Sequence, residues 1–271
     1  MPELFVGLMS GTSLDGVDAV LADLGAGRAR MVAHSHLPFT AELRAALLAL
    51  NEPDGNELHR AARAANELAT TYAATVNALL AAHGTAGAAV VAIGCHGQTV
   101  RHQPASGYTI QLVNGALLAE LTQITVVCDF RSRDIAAGGQ GAPLVAAFHR
   151  ALFAASGTHR VIVNVGGIAN LTDLPPSGAV TGFDCGPGNL LLDAWVQRHL
   201  QRAFDDGGTW ARSGCVIPEL LARLLDDSYF RRAPPKSSGR ETFNLAWLMR
   251  KLDGKEKAAD VQATLLALTA R

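Results

Sequence analysis

The segment Phe183-Asp184-Cys185-Gly186-Pro187-Gly188-Asn189 puts a carboxylate at the end of an apolar run and just ahead of a helical pattern. A carboxylate there can accept a proton from a hydroxyl or a water beside a reacting phosphate. The helix start behind it is expected to offer free N–H groups to an anion. Asp184 is therefore the general-base candidate of this chain. The competing reading is an aspartate that caps the turn before Gly-Pro.

Two glycine turns have the composition of phosphate cradles. Ser10-Gly11-Thr12-Ser13-Leu14-Asp15-Gly16 lies between two apolar runs and carries three hydroxyls. A glycine there removes the Cβ that would block a phosphate. Asp15 and Asp18 beside such a cradle repel an anion unless a cation lies between, which points to Mg²⁺. An ordinary hairpin loop is the alternative. Asn164-Val165-Gly166-Gly167-Ile168-Ala169-Asn170 repeats the arrangement later in the chain. Neither G-x-x-x-x-G-K-[ST] nor G-x-G-x-x-G occurs, which disfavours P-loop and Rossmann nucleotide sites.

Two further clusters could hold a polar ligand. Gly94-Cys95-His96-Gly97-Gln98-Thr99 ends an apolar run, and His96 is either a ligand contact or a hydrogen-bonded structural ring. Asp129-Phe130-Arg131-Ser132-Arg133-Asp134 leads into Gly138-Gly139-Gln140-Gly141-Ala142-Pro143. Arg131 can grip a carboxylate with two parallel hydrogen bonds, or can form a surface ion pair of little energetic weight.

These side chains need a frame, and the apolar pattern supplies one. Strands are expected over 4–9, 17–24 and 29–37, with turns at Ser10–Ser13 and Gly25–Gly27. Helices follow from Thr40, with Glu42 in the first turn, and from Asn56 to His83. Strands are expected again over 88–94, 124–130, 160–165, 168–174 and 180–183, then a helix over 190–203. A strand, tight glycine turn, strand, strand unit thus occurs twice. That predicts a duplicated α/β architecture with a boundary near residue 130; a single mixed α/β domain is the alternative. A polar, proline-rich basic loop spans 231–240 and contains Lys236. Helices over 245–252 and up to Arg271 complete the pattern. The last helix has no stop signal, so the second half is expected to be short at its C-terminus.

Composition narrows the function classes. In 271 residues, Lys+Arg number 23 against Asp+Glu 24, which gives no basic excess for nucleic acid. Hydrophobic residues at 49% supply ample core. Cys95, Cys128, Cys185 and Cys215 form no C-x-x-C pair, so neither zinc nor a disulfide framework is expected. No basic segment precedes the first apolar run and no run is long enough to span a membrane, so a cytoplasmic protein is expected.

Taken in order, six segments closely resemble the anhydro-N-acetylmuramic acid kinases. They are Gly7–Val20, Gly94–Pro104, Cys128–Leu144, Asn164–Thr172, Gly182–Trp195 and Pro234–Asn244. The resemblance implies the duplicated ribonuclease H-like (actin/hexokinase-like) ATPase fold, with two lobes, 1–129 and 130–271, around a cleft. It implies an enzyme of peptidoglycan recycling that uses ATP and Mg²⁺. Such an enzyme opens the 1,6-anhydro ring of 1,6-anhydro-N-acetylmuramic acid with water and phosphorylates O6. By the same resemblance, Asp184 is the catalytic base and Gly11, Thr12, Ser13, Leu14, Asp15, Gly16, Val17 and Asp18 form the first phosphate segment. Gly166 and Gly167 form the second, His96 and Arg131 face the sugar, and Asp15 holds the metal. A homodimer is implied, with no nucleic acid or membrane partner. Two alternatives stay open: a kinase of this fold for another sugar, and a muramic-sugar-binding protein with impaired catalysis. Lys236 lies in a family motif without an assigned role.

Overall fold

The computed structural model describes residues 2–25 and 29–271. Beyond Gly25, the turn expected at Gly25–Gly27 lies outside them. The described chain is a mixed α/β protein with two compact units, Met1–Gly141 and Ala142–Arg271. The expected boundary, after residue 129, falls one helix earlier than this division.

The first unit opens with β1 (Leu4–Met9), β2 (Gly16–Asp23) and β3 (Arg30–Pro38), each antiparallel to the last. In β2, Val17, Ala19 and Leu21 are buried at every second position, the period of a sheet with one covered face. Helix α1 (Ala41–Ala49) starts where the Thr40 hydroxyl accepts the Leu43 N–H at 3.1 Å. The long α2 (Glu57–His83) buries Leu68, Tyr72, Val76 and Leu79 along one stripe and stops at Gly84 in the left-handed region. Then come β4 (Val90–Cys95) and a hairpin of β5 (Gln98–Gln103) and β6 (Tyr108–Leu112). Helix α3 (Gly115–Thr122), the two-residue β7 (Val126–Val127) and α4 (Phe130–Ala136) complete the unit. The main sheet runs β3-β2-β1-β4-β7, with β4 parallel to both β1 and β7.

The second unit starts with α5 (Ala146–Phe153). Its sheet is fully antiparallel, in the order β10 (Thr181–Pro187), β9 (Ile168–Leu174), β8 (Arg160–Val165). Six helices follow: α6 (Leu190–Leu200), α7 (Thr209–Ser213), α8 (Pro218–Leu225), α9 (Ser228–Arg231), α10 (Leu245–Met249) and α11 (Ala258–Thr269). They share a core of Leu191, Leu220, Leu224, Phe243, Leu248 and Val261. Phe243 meets Tyr229 and Trp247 edge-on, with ring centroids 5.3 and 5.1 Å apart.

Several elements differ from the sequence expectation. The strand expected over 124–130 is reduced to Val126–Val127, because Asp129 adopts a left-handed φ of 56° and turns Phe130 into α4. Helix α6 stops at Leu200 rather than residue 203, where Gln201 turns left-handed at φ 55°. Helix α10 stops at Met249 rather than residue 252.

Candidate active site

In the first unit the Ser10–Asp15 turn is anchored from below. The buried Ser10 hydroxyl lies 2.6 Å from the Tyr72 hydroxyl on α2. The Gly11 carbonyl accepts the Leu14 N–H at 3.2 Å and the buried Gln98 amide at 3.1 Å. Leu14 turns left-handed at φ 57° with its side chain in the core. A Cβ on Gly11 would meet nothing closer than the Ser13 hydroxyl at 3.6 Å, so the turn's outer side is open. Gly16 is required by packing: a Cβ there would lie 2.4 Å from the Leu37 carbonyl on β3. Thr12 and Val17 lie in the same segment, Val17 pointing into the core.

The two aspartates differ. One Asp15 oxygen accepts the Ser13 hydroxyl at 2.7 Å and the Gly16 N–H at 3.1 Å, which holds the carboxylate beside the turn. Asp18 lies on β2 within 3.0 Å of His34 and 3.2 Å of His36, both on β3. Among the described residues no group of three or more His, Cys, Asp or Glu is arranged around a metal position. Mg²⁺ keeps several waters and takes one or two carboxylates plus phosphate oxygens. The exposed carboxylate of Asp15 fits that requirement.

His96 and Arg131, 35 residues apart, meet directly. The Arg131 Nε–H donates to His96 Nε2 at 2.9 Å, and Arg131 Nη1 donates to the Gly141 carbonyl at 2.5 Å. His96 Nδ1 faces the Gly97 carbonyl at 2.7 Å, so Nδ1 carries the proton and Nε2 accepts. Burial, with the Arg131 charge adding, pushes the ring down to about 4. His96 is thus a neutral ring that orients Arg131. His102 is also pushed down to about 4, again by burial and then by Arg131.

In the second unit the Gly166-Gly167 turn packs against the start of α6. The N–H groups of Gly188 and Leu190 donate to the Gly167 carbonyl at 2.9 and 3.2 Å. That of Asn189 donates to the Gly166 carbonyl at 2.8 Å. The helix start was expected to present free N–H groups to an anion. These three are instead spent on the glycine turn, which they hold in place. A Cβ on Gly188 would lie 2.1 Å from the Gly166 carbonyl, so only glycine permits this approach.

Asp184, expected just past a strand over 180–183, instead lies inside β10, which runs on to Pro187; it sits directly across from Asn170 on β9, at a bulge that also involves Gly186. It is 5% exposed. The Ser238 N–H donates to its Oδ2 at 2.9 Å, its own N–H donates to the Lys236 carbonyl at 3.1 Å, and its carbonyl accepts the Tyr229 hydroxyl at 2.8 Å. Burial, with the Asp184 charge close by, pushes the Tyr229 phenol up to about 12. Cys185 is raised by burial and then by Asp184, while Lys236 pulls it down. Glu241 is raised by desolvation, and Asp184 adds to the shift.

A family model described as anhydro-N-acetylmuramic acid kinase matches residues 3–271. The chain belongs to the anhydro-N-acetylmuramic acid kinase family. A protein of that name from Nitrosomonas europaea is 57% identical over 269 residues, 98% of this chain and 74% of the relative. Another, from Variovorax paradoxus, is 59% identical over 279 residues, 99% of this chain and 74% of the relative. Among solved structures, a reductive activator for corrinoid, iron-sulfur protein overlaps 69% of this chain and 31% of its own. Its identity is 14% and its TM-score 0.37, too low to support an argument.

For this anhydro-N-acetylmuramic acid kinase family member, three polar residues stood inside the quoted motifs without a role of their own. Asn170 faces Asp184 across the sheet, and its buried Oδ1 has no hydrogen-bond partner in the structure; Asn189 Oδ1 is in the same state. The separation of Asn170 from Asp184 gives no sequence signal, because only the β9–β10 register brings them together, whereas Asn189 stood in the Asp184 segment without a role. Glu241 was visible only as part of the Pro234–Asn244 motif. A depression of about 250 Å³ lined by Arg150, Ser156, Ser177 and Gly178 contains none of the expected site residues. No helix among the described residues is long and apolar enough to cross a membrane.

Proposed function

We propose that this chain is an ATP-dependent kinase of peptidoglycan recycling that acts on 1,6-anhydro-N-acetylmuramic acid. The observation that carries the reading is Asp184, a buried carboxylate inside β10 whose Oδ2 is fixed by a backbone N–H. Family membership supplies the substrate class. Asp184 takes a proton from water, the water oxygen bonds to C1, and the C1–O6 bond breaks. O6 then bonds to the γ-phosphorus of ATP, and ADP leaves. The product is N-acetylmuramic acid 6-phosphate.

The remaining residues take roles that suit their surroundings. Gly11, Thr12, Ser13, Leu14, Asp15, Gly16, Val17 and Asp18 form the first phosphate segment, and Gly166 and Gly167 the second. Mg²⁺, when bound, neutralises phosphate charge, and Asp15 is the carboxylate that would hold it. Arg131, oriented by His96, pairs with the lactyl carboxylate through its terminal nitrogens. The two units are read as copies of one ribonuclease H-like unit, since each contains a strand, glycine turn, strand, strand series in antiparallel pairing. A cytoplasmic homodimer belongs to the same reading.

The test is product mass and turnover. With ATP, Mg²⁺ and the anhydro-sugar, the product should gain one phosphoryl group and one water. Asp184→Asn should lower kcat by about 10²- to 10⁴-fold. Phosphate gain without water, or near-normal turnover by Asp184→Asn, refutes the mechanism. Comparable turnover of an ordinary hexose would favour a different sugar kinase. Sugar binding without nucleotide binding would favour a binding protein.

A further inference from the structure

The Pro234–Asn244 motif has no role in the reaction as written, yet it packs directly on Asp184 within β10. Lys236, Ser237 and Ser238 are all buried, although the composition of 231–240 reads as a polar surface loop. The segment contacts Asp184 at both main chain and side chain. Its Lys236 carbonyl accepts the Asp184 N–H at 3.1 Å, and its Ser238 N–H donates to Asp184 Oδ2 at 2.9 Å. One contact fixes the main chain of the aspartate and the other fixes a carboxylate oxygen.

The Lys236 side chain is 6% exposed. Its ammonium donates to the Tyr229 carbonyl at 3.3 Å and lies 4.9 Å from the Tyr229 ring centroid and 5.7 Å from that of Phe183. A carbonyl and two ring faces stabilise a cation but do not neutralise it. A buried charge of this kind persists where an opposite charge is close. Asp184 directly follows Phe183, whose ring faces the ammonium, and is the one buried carboxylate among the described residues. Tyr229 closes the arrangement, its hydroxyl on the Asp184 carbonyl and its own carbonyl on Lys236.

We propose that the Lys236–Ser238 segment is a positioning clamp for Asp184, in which the Ser238 N–H orients the carboxylate and the Lys236 ammonium keeps it anionic. The clamp does not touch the reacting atoms. The inference rests on the reading of Asp184 as the base, so the experiment separates the two.

The pH dependence of kcat is measured for the full chain and for Asp184→Asn, Ser238→Pro and Lys236→Met. Ser238→Pro removes the N–H donor. Lys236→Met keeps the stem and removes the charge. Each should move the acid limb of kcat upward by about one to two pH units, the equivalent of a lost charge-assisted hydrogen bond. The KM for the sugar should stay within about twofold, because substrate contacts are untouched. A role limited to holding the fold would lower kcat equally at every pH and leave the limb in place. That result, in whichever of the two variants folds by circular dichroism, overturns the clamp. Should Asp184→Asn keep its turnover, the base reading fails first and the clamp with it. Should Asp184→Asn lose turnover while the limbs of the others stay fixed, the base stands and the clamp alone is wrong.

Discussion

Lowering the pH from 7 to 5 should weaken the first compact unit through His96 and His102. Both rings fall from their ordinary 6.5 to about 4, first because they are buried and then because Arg131 is near. Between about pH 6.5 and 4 the unfolded chain therefore binds protons that the folded one refuses. Stability is fully present above that window and is lost as the pH falls through it. Integrating from pH 7 to 5 gives a loss of about 2 kcal/mol for each ring. Together they account for about 4 kcal/mol, which is a large fraction of a typical domain's stability. The assay is urea unfolding of the full chain at both pH values, with His96→Gln and His102→Gln alongside. Glutamine does not titrate, and at position 96 it still offers an acceptor to the Arg131 Nε–H. Each variant should lose about 2 kcal/mol less than the parent chain on going from pH 7 to 5, whatever its stability at pH 7. Equal pH-dependent losses in the parent and both variants would refute the neutral-ring argument, and with it the assignment of His96 as an acceptor for Arg131.

Two further substitutions probe the frame. Thr40→Ala removes the acceptor of the Leu43 N–H at the start of α1 and should cost about 1 kcal/mol in the same urea assay, with kcat unchanged. Gly188→Ala places a Cβ 2.1 Å from the Gly166 carbonyl and should force the second glycine turn off α6. Its expected cost is about 1–3 kcal/mol, accompanied by a rise in the KM for ATP; an unchanged KM would detach this turn from nucleotide binding.

What the sequence made legible follows from how local each signal is. The strands β1, β8 and β9 lie at the predicted residues, since β1 and β8 are short apolar runs closed by small residues and β9 is bounded by the Gly166-Gly167 turn and by Pro175-Pro176. The start of α1 was equally legible, because Thr40 and Glu42 act within one turn. The β5–β6 hairpin was not, because Gln98–Gln103 is polar at most positions and takes its shape from pairing with Tyr108–Leu112. At the site, Asp184, His96 and Arg131 stood out by type and by their expected places at element ends, although Asp184 proves to lie inside β10. Their partners did not. The contact of Arg131 with His96 spans 35 residues and that of Asp184 with Ser238 spans 54. Such separations leave no periodicity to read. The expectation of free N–H groups at the start of α6 failed for the same reason, since their acceptors, Gly166 and Gly167, lie on another element.

The two glycine turns look alike in sequence but are secured by opposite means. The first projects from β1, which has strands on both sides, and Val6 and Leu8 are 1% and 3% exposed. Side chains hold it: the hydroxyl of Tyr72 and the amide of Gln98 reach it from α2 and β5. The second projects from β8, whose one neighbour among the described residues is β9. Val161, Val163 and Val165 there are 51%, 62% and 57% exposed. Backbone N–H groups of 188–190 hold this turn. The first turn should therefore be sensitive to side-chain substitution at Tyr72 or Gln98, each of which strands a buried polar group. The second depends on the close approach that Gly188 alone permits. Duplicated pattern thus does not imply duplicated support: each turn takes its anchors from whatever its own strand has beside it.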